Sequence, residues 1–154
     1  GSRWSQLTNK GIHLPDLEAT QALGTELAQQ LPANAILLLK GPLGAGKTSL
    51  VQGIALALGI GEPITSPTFA LAQHYLDGNP PLIHLDLYRL EQSRAADDLF
   101  LQEDEEAKAI GALMAVEWPE RLSLDLPEAW QLELSHIKDG GRRAQLTPPK
   151  NAST

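Results

Sequence analysis

Apolar residues recur along this chain in two rhythms. Between Asp16 and Leu31 the residues Leu23, Leu27 and Leu31 fall at helical spacing, with Asp16 placed to cap the start and Pro32 to stop the run. Ile36-Leu37-Leu38-Leu39 is a short unbroken apolar run ending in Lys40-Gly41, as expected of a strand covered on both faces. From Lys47 onward Leu50, Val51, Ile54 and Leu58 share one helical face, and Gly59 is placed to end that helix. Further along, Phe69 to Leu76 and Leu82 to Tyr88 read as strands around the turn Asp77-Gly78-Asn79-Pro80, a hairpin pattern. Gln92 to Ala109 reads as an acidic helix, and Leu113 to Trp118 as a strand. Trp130 to Ile137 alternates like a half-buried strand, and Arg142 to Thr147 is a last strand. The tail from Pro148 to Thr154 is polar and is expected to lack regular structure.

Strands alternating with helices, with a hairpin among them, predict an α/β three-layer sandwich built on a mixed, mainly parallel sheet. Ligand is then expected at the carboxyl ends of the strands. With 154 residues, no internal repeat and no linker-like stretch, the expectation is one domain over 1–154. Gly1-Ser2 stand where an initiator methionine is expected; they read as a remnant of processing and are left out of the fold prediction.

Composition narrows the chemistry. No apolar run approaches the length of a membrane span, so a soluble protein without membrane attachment is expected. The absence of cysteine excludes disulfides, thiolate metal sites and a cysteine nucleophile, and the cytoplasm is the expected compartment. A formal charge of −7 opposes broad binding to a nucleic-acid backbone, because such affinity comes from Lys and Arg displacing counterions. It does not oppose a nucleotide held by a few focused donors and a metal.

Gly41-Pro42-Leu43-Gly44-Ala45-Gly46-Lys47-Thr48 matches G-x-x-x-x-G-K-[ST], the Walker A pattern of P-loop proteins. Its glycines allow backbone turns that aim successive N–H groups at phosphate oxygens, and the following helix adds its unpaired amides and dipole. Lys47 supplies a cation to the β- and γ-phosphates, and the Thr48 hydroxyl a ligand to Mg²⁺. At average composition the pattern arises by chance in roughly half a per cent of chains this long. Its place between a buried strand and an amphipathic helix lowers that further. Candidate contacts to ATP or ADP therefore run through Leu43, Gly44, Ala45, Gly46, Lys47, Thr48 and Ser49.

Asp86 closes Leu82-Ile83-His84-Leu85, and Glu117 closes Leu113-Met114-Ala115-Val116; either suits Mg²⁺ or the attacking water. The turn-prone Pro63 to Phe69 segment has three hydroxyls, of which Thr68 is the preferred γ-phosphate sensor. Arg89, and less so Arg121, suit neutralisation of transition-state charge. Candidate catalytic residues are thus Lys47, Thr68, Asp86 and Glu117, and candidate metal ligands Thr48, Asp86 and Glu117. The run Glu103-Asp104-Glu105-Glu106 reads as a solvated helix face, the four histidines as structural, and Trp4 and Trp130 as packing residues. A guanine-type Asn-Lys-x-Asp motif, a transporter-type Leu-Ser-Gly-Gly-Gln signature and an arginine-bearing lid between Leu122 and Asp139 are all absent. An ATPase or ATP-dependent switch is left.

Taken together, Gly41 to Thr48, Ser66-Pro67-Thr68-Phe69, His84-Leu85-Asp86-Leu87-Tyr88-Arg89-Leu90 and Glu117-Trp118, in this order, resemble the TsaE (YjeE) family. The resemblance runs from about Leu14 to Leu146. It implies a bacterial Mg-dependent ATPase, slow alone, that assists synthesis of N6-threonylcarbamoyladenosine in tRNAs reading codons that begin with A. It would act on the complex of TsaD with TsaB, touching tRNA indirectly at most. The family's switch threonine maps to Thr68, its metal-associated aspartate to Asp86 and its essential carboxylate to Glu117, with Trp118 the adjacent aromatic. Pro42 departs from the Asp that many members carry, and the C-terminal strand matches loosely, so no motif assigns an adenine contact to Arg142 or Arg143. Two alternatives stay open: a nucleotide-gated binding module whose hydrolysis is dispensable, and, more distantly, a small-molecule P-loop kinase.

Overall fold

The computed structural model of the chain describes residues 2–65, 71–138 and 140–150. In chain order the elements are α1 (Ser2–Asn9), β1 (Ile12–Leu14), α2 (Leu17–Gln30), β2 (Ile36–Lys40), α3 (Lys47–Ala57), β3 (Ala72–Tyr75), β4 (Leu82–Asp86), α4 (Ser93–Ile110), β5 (Leu113–Glu117), a 3-10 turn (Pro119–Arg121), β6 (Trp130–His136) and β7 (Arg142–Thr147). Among the described residues seven strands form one mixed sheet in the order β1-β7-β6-β2-β5-β4-β3. The central run β6-β2-β5-β4 is parallel, while β3 on one side and β7 and β1 on the other pair antiparallel.

Alternation along the strands divides the core in two. Leu37 and Leu39 of β2 with Leu113 and Ala115 of β5 face α1, α2 and α3; Ile36, Leu38, Met114 and Val116 face α4. Odd positions of β5 and even positions of β4 thus share the α3 side, which places Asp86 and Glu117 on the face where the glycine loop enters its helix. The outer face of β6 and β7 stays open to solvent, with Glu133, Arg143 and Gln145 exposed, as the half-buried alternation of Trp130 to Ile137 predicts.

Asp16 caps α2 by accepting from the Ala19 N–H at 2.8 Å, a contact worth about 1 kcal/mol. Helices α2 and α3 approach closely because a Cβ on Gly24 would stand 2.1 Å from the Leu50 carbonyl oxygen, and one on Gly53 1.9 Å from that of Gln21. Helix α3 ends as expected, with the Gly59 N–H bonded to Leu56 O and the Ile60 N–H to Ala55 O.

Several boundaries differ from expectation. The strand expected over Leu82 to Tyr88 stops at Asp86, whose side chain accepts the Tyr88 N–H at 3.0 Å and turns the chain. The strand expected over Phe69 to Leu76 spans Ala72–Tyr75, its first residues lying outside those described. Helix α1 and the three-residue β1 were not expected; Leu7 is fully buried and Trp4 meets Trp130 edge-on at 5.9 Å. The acidic run is not wholly solvated either, since Glu103 is buried and bonds His74 of β3 at 2.6 Å. Among the described residues, no helix is long and apolar enough to cross a membrane.

Candidate nucleotide-binding site

Between β2 and α3 the chain turns through Gly41 (φ 149°), Gly44 (φ 79°) and Gly46 (φ 101°). Gly44 and Gly46 have room for a Cβ within the protein; their positive φ is what disfavours other residues there. The Ala45 N–H closes a turn onto Pro42 O at 3.1 Å, and the first intrahelical bond runs from the Leu50 N–H to Gly46 O. Lys47 and Ser49 stand ahead of that first bond, in the opening turn whose amides an α-helix leaves to other acceptors, the usual condition of an anion-binding helix start.

A cavity of about 490 Å³ lies over this loop, within the range of about 300–1,000 Å³ common for small-molecule sites. Leu43, Gly44, Gly46, Lys47, Thr48 and Ser49 line it; Ala45 does not, being fully buried beneath the loop. Asp86, Arg89, Glu117 and Trp118 close in from the strand ends, and Arg142 from β7. Thr68 lies outside the described residues.

Lys47 is only 5% exposed. Its Nζ donates to Gly41 O at 2.6 Å and sits 4.1 Å above the centre of the Trp118 ring. Burial pulls its pKa below the usual lysine value, against the opposing pull of Glu117, Glu120 and Asp86. Trp118 reaches that position from a left-handed backbone (φ 59°, ψ 50°), a conformation that costs an aromatic residue on the order of 1–3 kcal/mol. Tyr88 packs on it at 4.8 Å, and the Arg121 guanidinium donates to Tyr88 O at 2.9 Å. Arg121 thus braces the aromatic pair rather than lining the cavity.

Asp86 and Glu117 are register partners at the ends of adjacent parallel strands. Burial raises the Asp86 carboxyl above its ordinary range and nearby Glu117 adds to the rise, while the Tyr88 N–H, His84 and Lys47 oppose it. Glu117, 3% exposed, accepts at Oε2 from His84 Nε2 at 2.7 Å. Among the described residues no three His, Asp or Glu side chains converge as a metal site. Thr48, Asp86 and Glu117 would hold a cation only together with ligand oxygens, which suits Mg²⁺ beside a phosphate. Donor amides, one lysine and oxygen-only ligands fit a Mg-nucleotide.

Two residues at this site were not identified from the sequence. His84 has a role beyond general packing, as the partner of Glu117; the clue available was a polar residue inside a strand otherwise apolar and covered on both faces. Arg142 donates to Gly44 O at 2.8 Å and Ala45 O at 3.1 Å, clamping the back of the loop from 98 residues away in sequence. No local pattern marks it.

The comparisons with known proteins bear on the family and the fold. A family model described as threonylcarbamoyl adenosine biosynthesis protein TsaE matches residues 14–144. A protein from Nostoc sp. (strain PCC 7120) named tRNA threonylcarbamoyladenosine biosynthesis protein TsaE is 42% identical over 137 residues, covering 89% of this chain and 85% of the relative. One of the same name from Synechocystis sp. (strain PCC 6803) is 51% identical over 110 residues, covering 71% and 69%. The crystal structure of Bacillus subtilis YdiB superposes with a TM-score of 0.70 at 30% identity, covering 92% of this chain and 86% of that one. With the family match running from the end of β1 into β7 and the fold shared by a solved structure, the chain belongs to the TsaE family.

Proposed function

We propose that this chain binds Mg-ATP at the β2–α3 loop and hydrolyses it slowly, in support of N6-threonylcarbamoyladenosine formation in tRNA through a TsaB–TsaD complex. The observation that carries the reading is the convergence of Lys47, Asp86 and Glu117 over one glycine loop, each buried or half-buried at a parallel strand end or helix start. Burying charged groups is costly even when they partly compensate one another, and a cluster of them lining a cavity is where a ligand would use them.

In this reading the α3 amides and Lys47 receive the phosphates, Lys47 exchanging the Gly41 carbonyl for a phosphate oxygen. Thr48 and Asp86 would hold Mg²⁺, which would supply positive charge against the phosphates. Glu117 orients the attacking water and takes up its proton. The names of the relatives support the pathway, and the net charge of −7 favours action through protein partners over direct grip on tRNA.

The test pairs single-turnover hydrolysis with reconstituted tRNA modification. Glu117→Gln is expected to retain Mg-ATP binding while hydrolysis falls about 100-fold or more, and adding TsaB–TsaD is expected to raise wild-type turnover. If Glu117→Gln sustained repeated modification cycles as well as wild type, hydrolysis would be dispensable and nucleotide-gated binding the better account.

A further inference from the structure

His84 has no exposed surface, and it lies in a strand whose neighbours Leu82, Ile83 and Leu85 are all buried apolar residues. An apolar residue there would avoid desolvating a ring and a carboxylate together, so stability alone gives no reason for the pair. Its geometry gives another reason. Cα register sets Glu117 opposite Asp86 and Ala115 opposite His84. Glu117 Oε2 nevertheless meets His84 Nε2 at 2.7 Å, so the carboxylate leans back toward the sheet interior rather than beyond the strand end.

The second ring nitrogen identifies the tautomer. Nδ1 of His84 is buried with no hydrogen-bond partner among the described residues. An orphaned N–H is costlier and rarer than an unused lone pair, so the hydrogen belongs on Nε2, where it is donated to Glu117. That bond engages one carboxylate oxygen and restricts rotation about the end of the Glu117 side chain. The other oxygen, Oε1, has no donor among the described residues and belongs to a side chain that lines the cavity.

The geometry points to His84 as a positioning residue: its Nε2–H fixes Oε2 of Glu117 so that Oε1 is presented to the cavity in one orientation, ready to accept from a water. This inference rests on the reading of the cavity as a hydrolytic nucleotide site. His84 itself touches neither nucleotide nor water; it acts by removing the orientations of Glu117 that are useless for proton abstraction.

The test compares wild type with His84→Phe, which keeps the ring shape without a donor, and His84→Gln, whose amide restores an N–H near Nε2. Each is measured for fluorescent ADP affinity, urea midpoint and single-turnover hydrolysis rate, alone and combined with Glu117→Gln. His84→Phe is expected to slow hydrolysis about 10- to 100-fold with nucleotide affinity within about 2-fold of wild type, and His84→Gln to recover most of the rate. The His84→Phe/Glu117→Gln double variant is expected to be no slower than Glu117→Gln alone. In nucleotide-free protein, a slowly exchanging imidazole N–H resonance absent from His84→Phe should also disappear in Glu117→Ala. A wild-type rate in His84→Phe, a full additive loss in the double variant, or a resonance indifferent to Glu117→Ala would each overturn the role. If wild type binds ADP without hydrolysing ATP, the hydrolytic reading falls and this one with it; wild-type hydrolysis beside an unaffected His84→Phe removes this one alone.

Discussion

Two histidine–carboxylate pairs of nearly equal length lie in different regions of the molecule. His84–Glu117 spans 2.7 Å beside the glycine loop, with side chains 0% and 4% exposed; His74–Glu103 spans 2.6 Å where the β3–β4 hairpin meets α4, with side chains 36% and 10% exposed. The outer pair keeps one partner in water and joins an edge strand to a helix, so its role is to hold two elements together. The inner pair has lost its water on both sides and joins two adjacent strands that the sheet already pairs. The same contact therefore contributes to assembly at the periphery and to chemistry at the strand ends, and burial separates the two.

That contrast can be broken by experiment. The largest effect should come from Lys47→Ala, which removes the site's buried cation; Mg-ATP affinity should fall about 100-fold or more (~3 kcal/mol) by calorimetry, with unfolding still cooperative. Next, Arg142→Ala frees the Gly44 and Ala45 carbonyls, and nucleotide affinity should weaken about 10-fold. Arg142→Lys should restore little, because an ammonium cannot span both acceptors. At the periphery the readouts should exchange. Glu103→Gln should lower urea stability by about 1 kcal/mol while leaving nucleotide affinity unchanged, and a loss of binding there would dissolve the distinction drawn above.

The smallest effect has an informative sign. Burial raises the Asp86 carboxyl above its ordinary 3.8, so between 3.8 and the raised value the native state holds a proton that the unfolded chain has released. This group's contribution to stability declines as pH rises through that window, and at neutral pH the native carboxylate is left destabilising. Asp86→Asn should therefore raise the melting temperature of nucleotide-free, EDTA-treated protein at neutral pH, and the gain should shrink as pH falls through the window. A site residue that strengthens the fold when neutralised, beside a Glu103 that weakens it, would sharpen the comparison most directly.

Much of the scaffold was legible before any coordinates. Asp16 as a cap, the strand–loop–helix around Lys47, the end of α3 at Gly59 and the β3–β4 hairpin are local patterns, each decided by residues within a few positions of one another. Asp86 and Glu117 were recognisable because each ends an apolar run. Helix α1 was missed because its eight residues offer only Trp4 and Leu7 as apolar positions, too few to show a helical period, and β1 because three residues are too few to show any. The acidic run was misread at Glu103 because charge composition carries no record of which helix face a hairpin covers.

What the amino-acid order determined by itself is the chemistry available: a loop whose glycines accept positive φ, a lysine and a threonine at the start of a helix, and carboxylates that end strands. Only the tertiary structure decided which of these groups meet. Strand order set β4 beside β5, register set Asp86 opposite Glu117, the backward lean of the Glu117 side chain brought it onto His84, and the return of β7 brought Arg142 onto the loop carbonyls. The reason is physical: helix and turn preferences act over a few residues, whereas strand adjacency is set by burial of a whole sheet between its helices, a quantity no short stretch of sequence contains.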